Sequence, residues 1–195
     1  MILTERHILK RSNKNFKELD NLCFLSKNLY NSALYFIRQS YFETKKHCNY
    51  YSVVSNFTND NQIDYRSLPS KVSQQTLKMV DQNFRSFFAC FKSKNVTKAR
   101  IPKYLEKDGR FVVIYTNQAI SKKLLKNGII KLSGSNVEFK TKVKNVRQVR
   151  IVPTKHHIVV EVLYEIDNVD KLSDNGRYCS IYLWHDICCI AITNI

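Results

Sequence analysis

Between Lys14 and Phe42 the apolar positions Phe16, Leu19, Leu22, Cys23, Leu29, Tyr30, Ala33, Ile37 and Tyr41 return every three or four residues. That spacing matches the helical turn, so the segment reads as one long amphipathic helix with a one-sided stripe. A second long helix opens at Leu68-Pro69-Ser70, where a proline in the first turn loses no hydrogen bond. Its stripe is Val72, Thr76, Met79, Val80, Phe84, Phe87, Phe88 and Phe91. Between the two, residues 51–58 suggest a short helix and the sequence NDNQ a loop. Such helices bury their stripes by pairing into a small bundle.

After the basic stretch from Lys92 to Arg100 the period changes from 3.6 to 2. Residues 111–116, 128–132, 136–142, 146–152 and 158–166 each read as strands, separated by turn signals at Lys126-Asn127-Gly128 and Ser133-Gly134-Ser135-Asn136. These strands call for a barrel or curled sheet, which residues 2–11 are expected to close. A polar linker follows, and residues 177–195 begin a new strand pair.

Charge changes the picture from a fold to a partner. The chain carries 32 Lys and Arg against 16 Asp and Glu, and the stretch from Arg85 to Lys155 alone holds 18 basic and 3 acidic residues. A surplus this local selects a polyanion, because each phosphate neutralised releases condensed counterions. A membrane surface instead favours one basic helix with a strong apolar face beside the charges, and these charges are spread over alternating segments. No apolar run approaches the roughly 20 residues of a membrane span, and charge near the N-terminus interrupts any signal-peptide core. A soluble, intracellular protein is expected. The 6 cysteines have no C-x-x-C spacing, so reduced and mostly buried thiols are expected, with no zinc site.

Several long motifs in order carry a resemblance: LYNSALYFIRQSYF (29–42), LPSKVSQQTLKMVDQNFRSFF (68–88), IPKYLEKDGRFVVIYTNQAI (101–120), KVKNVRQVRIVP (142–153) and DNGRYCSI (174–181). Together they resemble the TnpB or OrfB proteins of bacterial insertion sequences, RNA-guided DNA nucleases regarded as ancestors of the single-protein type V CRISPR effectors. The likeness runs over essentially the whole chain, which corresponds to the N-terminal half of that family. It implies an α+β fold: an oligonucleotide-binding-like β-barrel (the wedge domain) interrupted by a helical recognition domain and followed by the first strand pair of a RuvC-like domain. The implied boundaries are residues 1–12 and 99–167 for the barrel, 13–98 for the helices, 168–176 for the linker and 177–195 for the truncated RuvC-like remnant.

The resemblance also implies partners, a structured guide RNA and RNA-guided double-stranded target DNA, with the RNA supplying the sequence address. Lys92, Lys94, Lys98, Arg100, Lys103, Arg110, Lys142, Lys144, Arg147 and Arg150 are the expected contacts to nucleic-acid backbone. Relatives read a short DNA motif beside the target with residues that match Tyr51, Ser55, Lys71, Gln75, Thr116 and Asn117. Helical geometry adds that Lys71 and Gln75, four apart and opposite Val72, Thr76 and Met79, point outward together. Lys suits guanine acceptors, and Gln suits an adenine edge.

A RuvC-type site needs carboxylates around two metal ions, the first of them an Asp in an I-D-L-G strand. Here that place reads Ile181-Tyr182-Leu183-Trp184, and a phenol of pKa near 10 does not replace the Asp. Asp186 lies four strand residues on, about 13 Å away, and the other carboxylates and the zinc module would fall beyond Ile195. His156 and His157 alternate to opposite faces of a strand, and Cys188 and Cys189 have no basic neighbour to activate them. The expectation is a nuclease-inactive protein without metal or cofactor, cytoplasmic and nucleoid-associated, that occupies DNA as a repressor. The alternative is a decayed transposon remnant that folds and binds nucleic acid without a dedicated role. The strand pair at 177–195 is expected to pack on the barrel or on a second copy.

Overall fold

The computed structural model describes residues 1–93 and 99–166, together with the backbone of the strands at 179–184 and 187–193. These fall into two compact units, Ile2–Glu165 and Met1 with Ile166–Ile195. Helix α1 (Phe16–Thr44) buries Leu19, Leu22, Cys23, Leu29, Tyr30, Ala33, Leu34 and Ile37 and ends where Lys45 turns left-handed and donates its N–H to Tyr41. Helix α2 (Tyr50–Asn59) is capped by Asn49, which accepts the Ser52 N–H; the single turn α3 (Ile63–Arg66) is capped by Gln62. Helix α4 (Ser70–Lys92) follows Pro69 and buries Val72, Thr76, Leu77, Val80 and Phe84. Its stripe departs from the sequence reading at the far end, where Phe91 is 70% exposed.

Strands β1 (Ile2–Lys10), β2 (Val113–Thr116), β5 (Val146–Pro153) and β6 (His157–Glu165) form an antiparallel sheet in the order β1-β6-β5-β2. Alternation puts Val113, Tyr115, Val149, Ile151, Ile158, Val160 and Val162 into the same buried cluster as Leu19, Leu29 and Phe84 of the helices. Helices and sheet therefore share one core. Buried Ser26 of α1 joins them by hydrogen bonds, sharing one with Thr76 of α4 and donating another to the Val112 carbonyl.

The remaining strands of this unit, β3 (Ile129–Lys131) and β4 (Glu138–Lys140), make a separate two-stranded ribbon. No closed barrel forms among the described residues, which corrects the expectation that β1 completes a ring. On one side the ribbon continues the sheet edge, through the pairing of Ile120 with Leu132 and the Ser121 N–H to Lys131. On the other it meets β1 through side chains only: Thr141 donates to Glu5 at 2.6 Å, and the His7 and Phe139 rings lie 5.4 Å apart. The reason is length, since three-residue strands have too few rungs to tilt and close a cylinder. The ribbon turn is fixed by Gly134 (φ +67), where a Cβ would stand 2.7 Å from the Pro69 ring at the start of α4.

In the second unit β7 (Cys179–Trp184) and β8 (Ile187–Thr193) pair antiparallel, with Tyr182 opposite Ile190 and an irregularity between Tyr182 and Trp184. Met1 and Ile166 exchange main-chain hydrogen bonds, both at 2.9 Å. Among the described residues, no helix is long and apolar enough to cross a membrane.

Candidate nucleic-acid interface

After β2 the chain makes a 3-10 turn (Asn117–Ala119), pairs once at Ile120, and enters the five-residue helix α5 (Lys122–Lys126). Ser121 accepts the Leu124 N–H, and the motif SKKLLK then places Leu124 and Leu125 half-buried with Lys122, Lys123 and Lys126 exposed. Facing α5 is the connection from β4 to β5. There Thr141, Val143 and Val146 are buried while Lys142, Lys144 and Asn145 are exposed. The inward residues are anchored, Thr141 by Glu5 and by the Val143 N–H, so the two lysines between them must point out.

These segments enclose a cavity of about 420 Å³ with an apolar floor of Ile120, Leu125 and Val146 and a rim of Asn117, Lys122, Lys126, Lys144 and Asn145. No carboxylate lines it. None of its three lysines, nor Lys123 or Lys142, makes an ion pair among the described residues. On the other side of the loop, Glu5 and Glu165 line a hollow together with Lys142 and Lys144. The uncompensated charge is therefore on the α5 side, with two side-chain amides able to donate and accept beside it.

The arginines behave differently. Arg110 donates from Nε and Nη2 to both oxygens of Asp20 at 2.8 Å, and from Nη1 to the Asp108 and Gly109 carbonyls. Hydrogen bonding to Asp20 raises its pKa further. Arg150 pairs with Glu161 at 2.9 Å, and Arg6 takes the other oxygen of that carboxylate at 3.1 Å. Arg147 lies 4.0 Å from Glu165. Of the expected backbone contacts, Lys92, Arg100, Lys103, Lys142 and Lys144 are exposed; Lys94 and Lys98 lie outside the described residues, as does the side chain of Tyr182.

The six expected DNA-reading residues sit on three elements that meet around α4, which packs against α2 and against β2 with its 3-10 turn. Tyr51 is 77% exposed, and Ser55 and Lys71 are exposed. Gln75 is half-buried, so Lys71 and Gln75 do not share the full exposure the spacing suggests. Asn117 stands on the cavity rim, whereas the neighbouring Thr116 turns its hydroxyl inward, where it has no hydrogen-bond partner. Sequence reasoning missed Lys122, Lys126 and Asn145. The readable signal was the serine cap followed by lysines four apart in SKKLLK.

Burial, reinforced by Asp20, pushes the Cys23 thiol from 9.0 up to about 12, where it is inert. Cys48 is half-buried and Cys90 exposed, so only one of the three described cysteines is buried. Burial first, then Glu18 and Cys23, raises Tyr115 well above the usual phenol range. No cluster of three metal-ligating side chains occurs among the described residues. Compared with models of protein families the chain matches none, and a search of curated proteins finds no similar one.

Proposed function

We infer that the protein is a TnpB-like, nuclease-inactive RNA-binding protein that holds a structured guide RNA and, through it, occupies target DNA without cutting. The observation that carries RNA binding is the set of unpaired lysines Lys122, Lys126 and Lys144 around an acid-free cavity with Asn117 and Asn145. Ammonium groups held outward by anchored neighbours neutralise phosphates without first breaking an internal ion pair. The amides beside them have the donor and acceptor pairs that bases and ribose hydroxyls use. In this reading the sheet and ribbon are the wedge domain, left open between β4 and β1, and α1–α4 the recognition domain.

The inactive reading rests on Tyr182 at the position of the first metal-binding Asp in the resembling family. Occupancy of a promoter then suffices for repression. Purification of the full chain from its native host, with sequencing of the bound RNA, tests the proposal. A discrete RNA with a constant scaffold and a variable end supports it. A random cellular mixture contradicts guided binding, and magnesium-dependent cleavage of matched DNA by the purified chain contradicts inactivity.

A further inference from the structure

At the end of α4 opposite Pro69, about 33 Å along the helix axis, the last turns of α1 and α4 frame a groove of about 670 Å³. Its walls are aromatic: Tyr41, Phe88 and Phe91 line it, and the Tyr41 and Phe88 rings lie 5.2 Å apart. Its rim is cationic, with Lys45, Arg85 and Lys92. Neither lysine has an ion pair among the described residues, and no carboxylate lines the groove.

The floor is fixed in place. Asp81 is 3% exposed and binds His47 Nε2 at 2.9 Å and Arg85 Nε at 2.7 Å. His47 is thereby held edge-on to Phe88, with centroids 5.4 Å apart. Arg85 pairs with Asp81 through Nε, and its side chain remains 63% exposed. Phe91, 70% exposed, is an apolar ring offered to solvent at the groove mouth. Ordered aromatic faces beside the unpaired Lys45 and Lys92 and an exposed guanidinium suit a partner that is anionic and built of flat rings. They disfavour a second copy of this chain, whose own groove carries the same charge.

We propose that this groove is a stacking platform for unpaired bases of a single-stranded nucleic acid, with Phe91 taking a base and Lys45, Arg85 and Lys92 its flanking phosphates. The proposal deepens the RNA-binding reading and rests on it, but concerns a site distinct from the lysine cavity. Stacking on an aromatic side chain tolerates any base, and losing it weakens single-strand binding by roughly 5- to 150-fold per base.

The test uses the full chain with two RNAs, an unstructured oligonucleotide containing 2-aminopurine and a blunt hairpin. Phe91→Ala should weaken the unstructured RNA at least roughly fivefold and abolish the aminopurine quenching, leave the hairpin affinity unchanged, and be rescued by Phe91→Tyr. The Lys45→Ala/Lys92→Ala variant should weaken the same RNA while preserving thermal unfolding, which keeps the test decisive if Phe91→Ala misfolds. Unchanged affinity for the unstructured RNA, or equal losses for both RNAs, overturns the stacking site and leaves the RNA-binding reading standing. Loss of self-association or of protein binding on Phe91→Ala, with RNA binding intact, also overturns it. A Phe91-dependent quench in a protein that copurifies with only random RNA keeps the groove and overturns the guide.

Discussion

Two basic regions of this protein use their charge in opposite ways. On α1, Phe24 carries Lys27 Nζ at 4.2 Å and the Arg110 guanidinium at 5.0 Å from its ring centre. Each cation there is engaged within the fold, Arg110 by Asp20 and Lys27 by the Lys107 carbonyl at 2.7 Å. Around α5 the lysines lie exposed over an apolar floor, in a cavity that no carboxylate lines and without an ion pair among the described residues. Both regions carry lysine or arginine, but in the first the cations sit among Asp20 and Asp108, whereas the stretches 121–127 and 141–145 hold five lysines and no acid. A count of basic residues therefore overstates a binding surface by every cation the fold has already paired.

The contrast predicts unequal mutational effects. Reversing the open set, Lys122→Glu/Lys126→Glu/Lys144→Glu, should weaken RNA binding by at least on the order of a hundredfold with thermal unfolding unchanged. Equal RNA affinity would move the interface elsewhere. Arg110→Ala should do the reverse, costing about 2 kcal/mol of stability by stranding Asp20 and two carbonyls. RNA affinity of the folded variant should stay within about twofold. A stable Arg110→Ala protein that has lost RNA would erase the distinction.

The engaged region also has a pH signature. Cys23, next to Asp20 and Arg110, keeps its proton to about pH 12 in the folded state, whereas an unfolded thiol ionises near 9.0. Below pH 9 both states hold the proton and the thiol adds no slope. Above it only the folded state does, so stability falls with rising pH by about 1.4 kcal/mol per unit. Denaturant titrations at pH 9 and 10 should show the parent losing about 1 kcal/mol more over that interval than Cys23→Ala. RNA affinity at constant pH should not respond to Cys23→Ala.

Much of the fold was legible because long periodic segments determine their own structure. The helix that the periodicity predicts over 14–42 is Phe16–Thr44 in the structure; the strands predicted at 146–152 and 158–166 are Val146–Pro153 and His157–Glu165. What was not legible depends on contacts across the chain. Whether the strands closed into a ring depended on how β4 meets β1, and three-residue strands with a Thr141–Glu5 contact leave no periodic trace. Helix α5 was missed because five residues are too few for a stripe. The pairing of Arg110 with Asp20, 90 positions apart in sequence, cannot be read from either residue's surroundings. Lys144 reads in the sequence as one cation among many, and that Lys122 and Lys126 share a cavity with it follows only from the approach of α5 to the β4–β5 loop.

The most direct test of the central claim, that the α5 end is the RNA-binding surface, is the salt dependence of hairpin RNA affinity. It should be measured for the parent chain and for Lys122→Ala/Lys126→Ala/Lys144→Ala. If the three lysines each neutralise a phosphate, the slope of log affinity against log salt should become shallower by roughly 2 to 3 units in the variant. Parallel lines for the two proteins would contradict it.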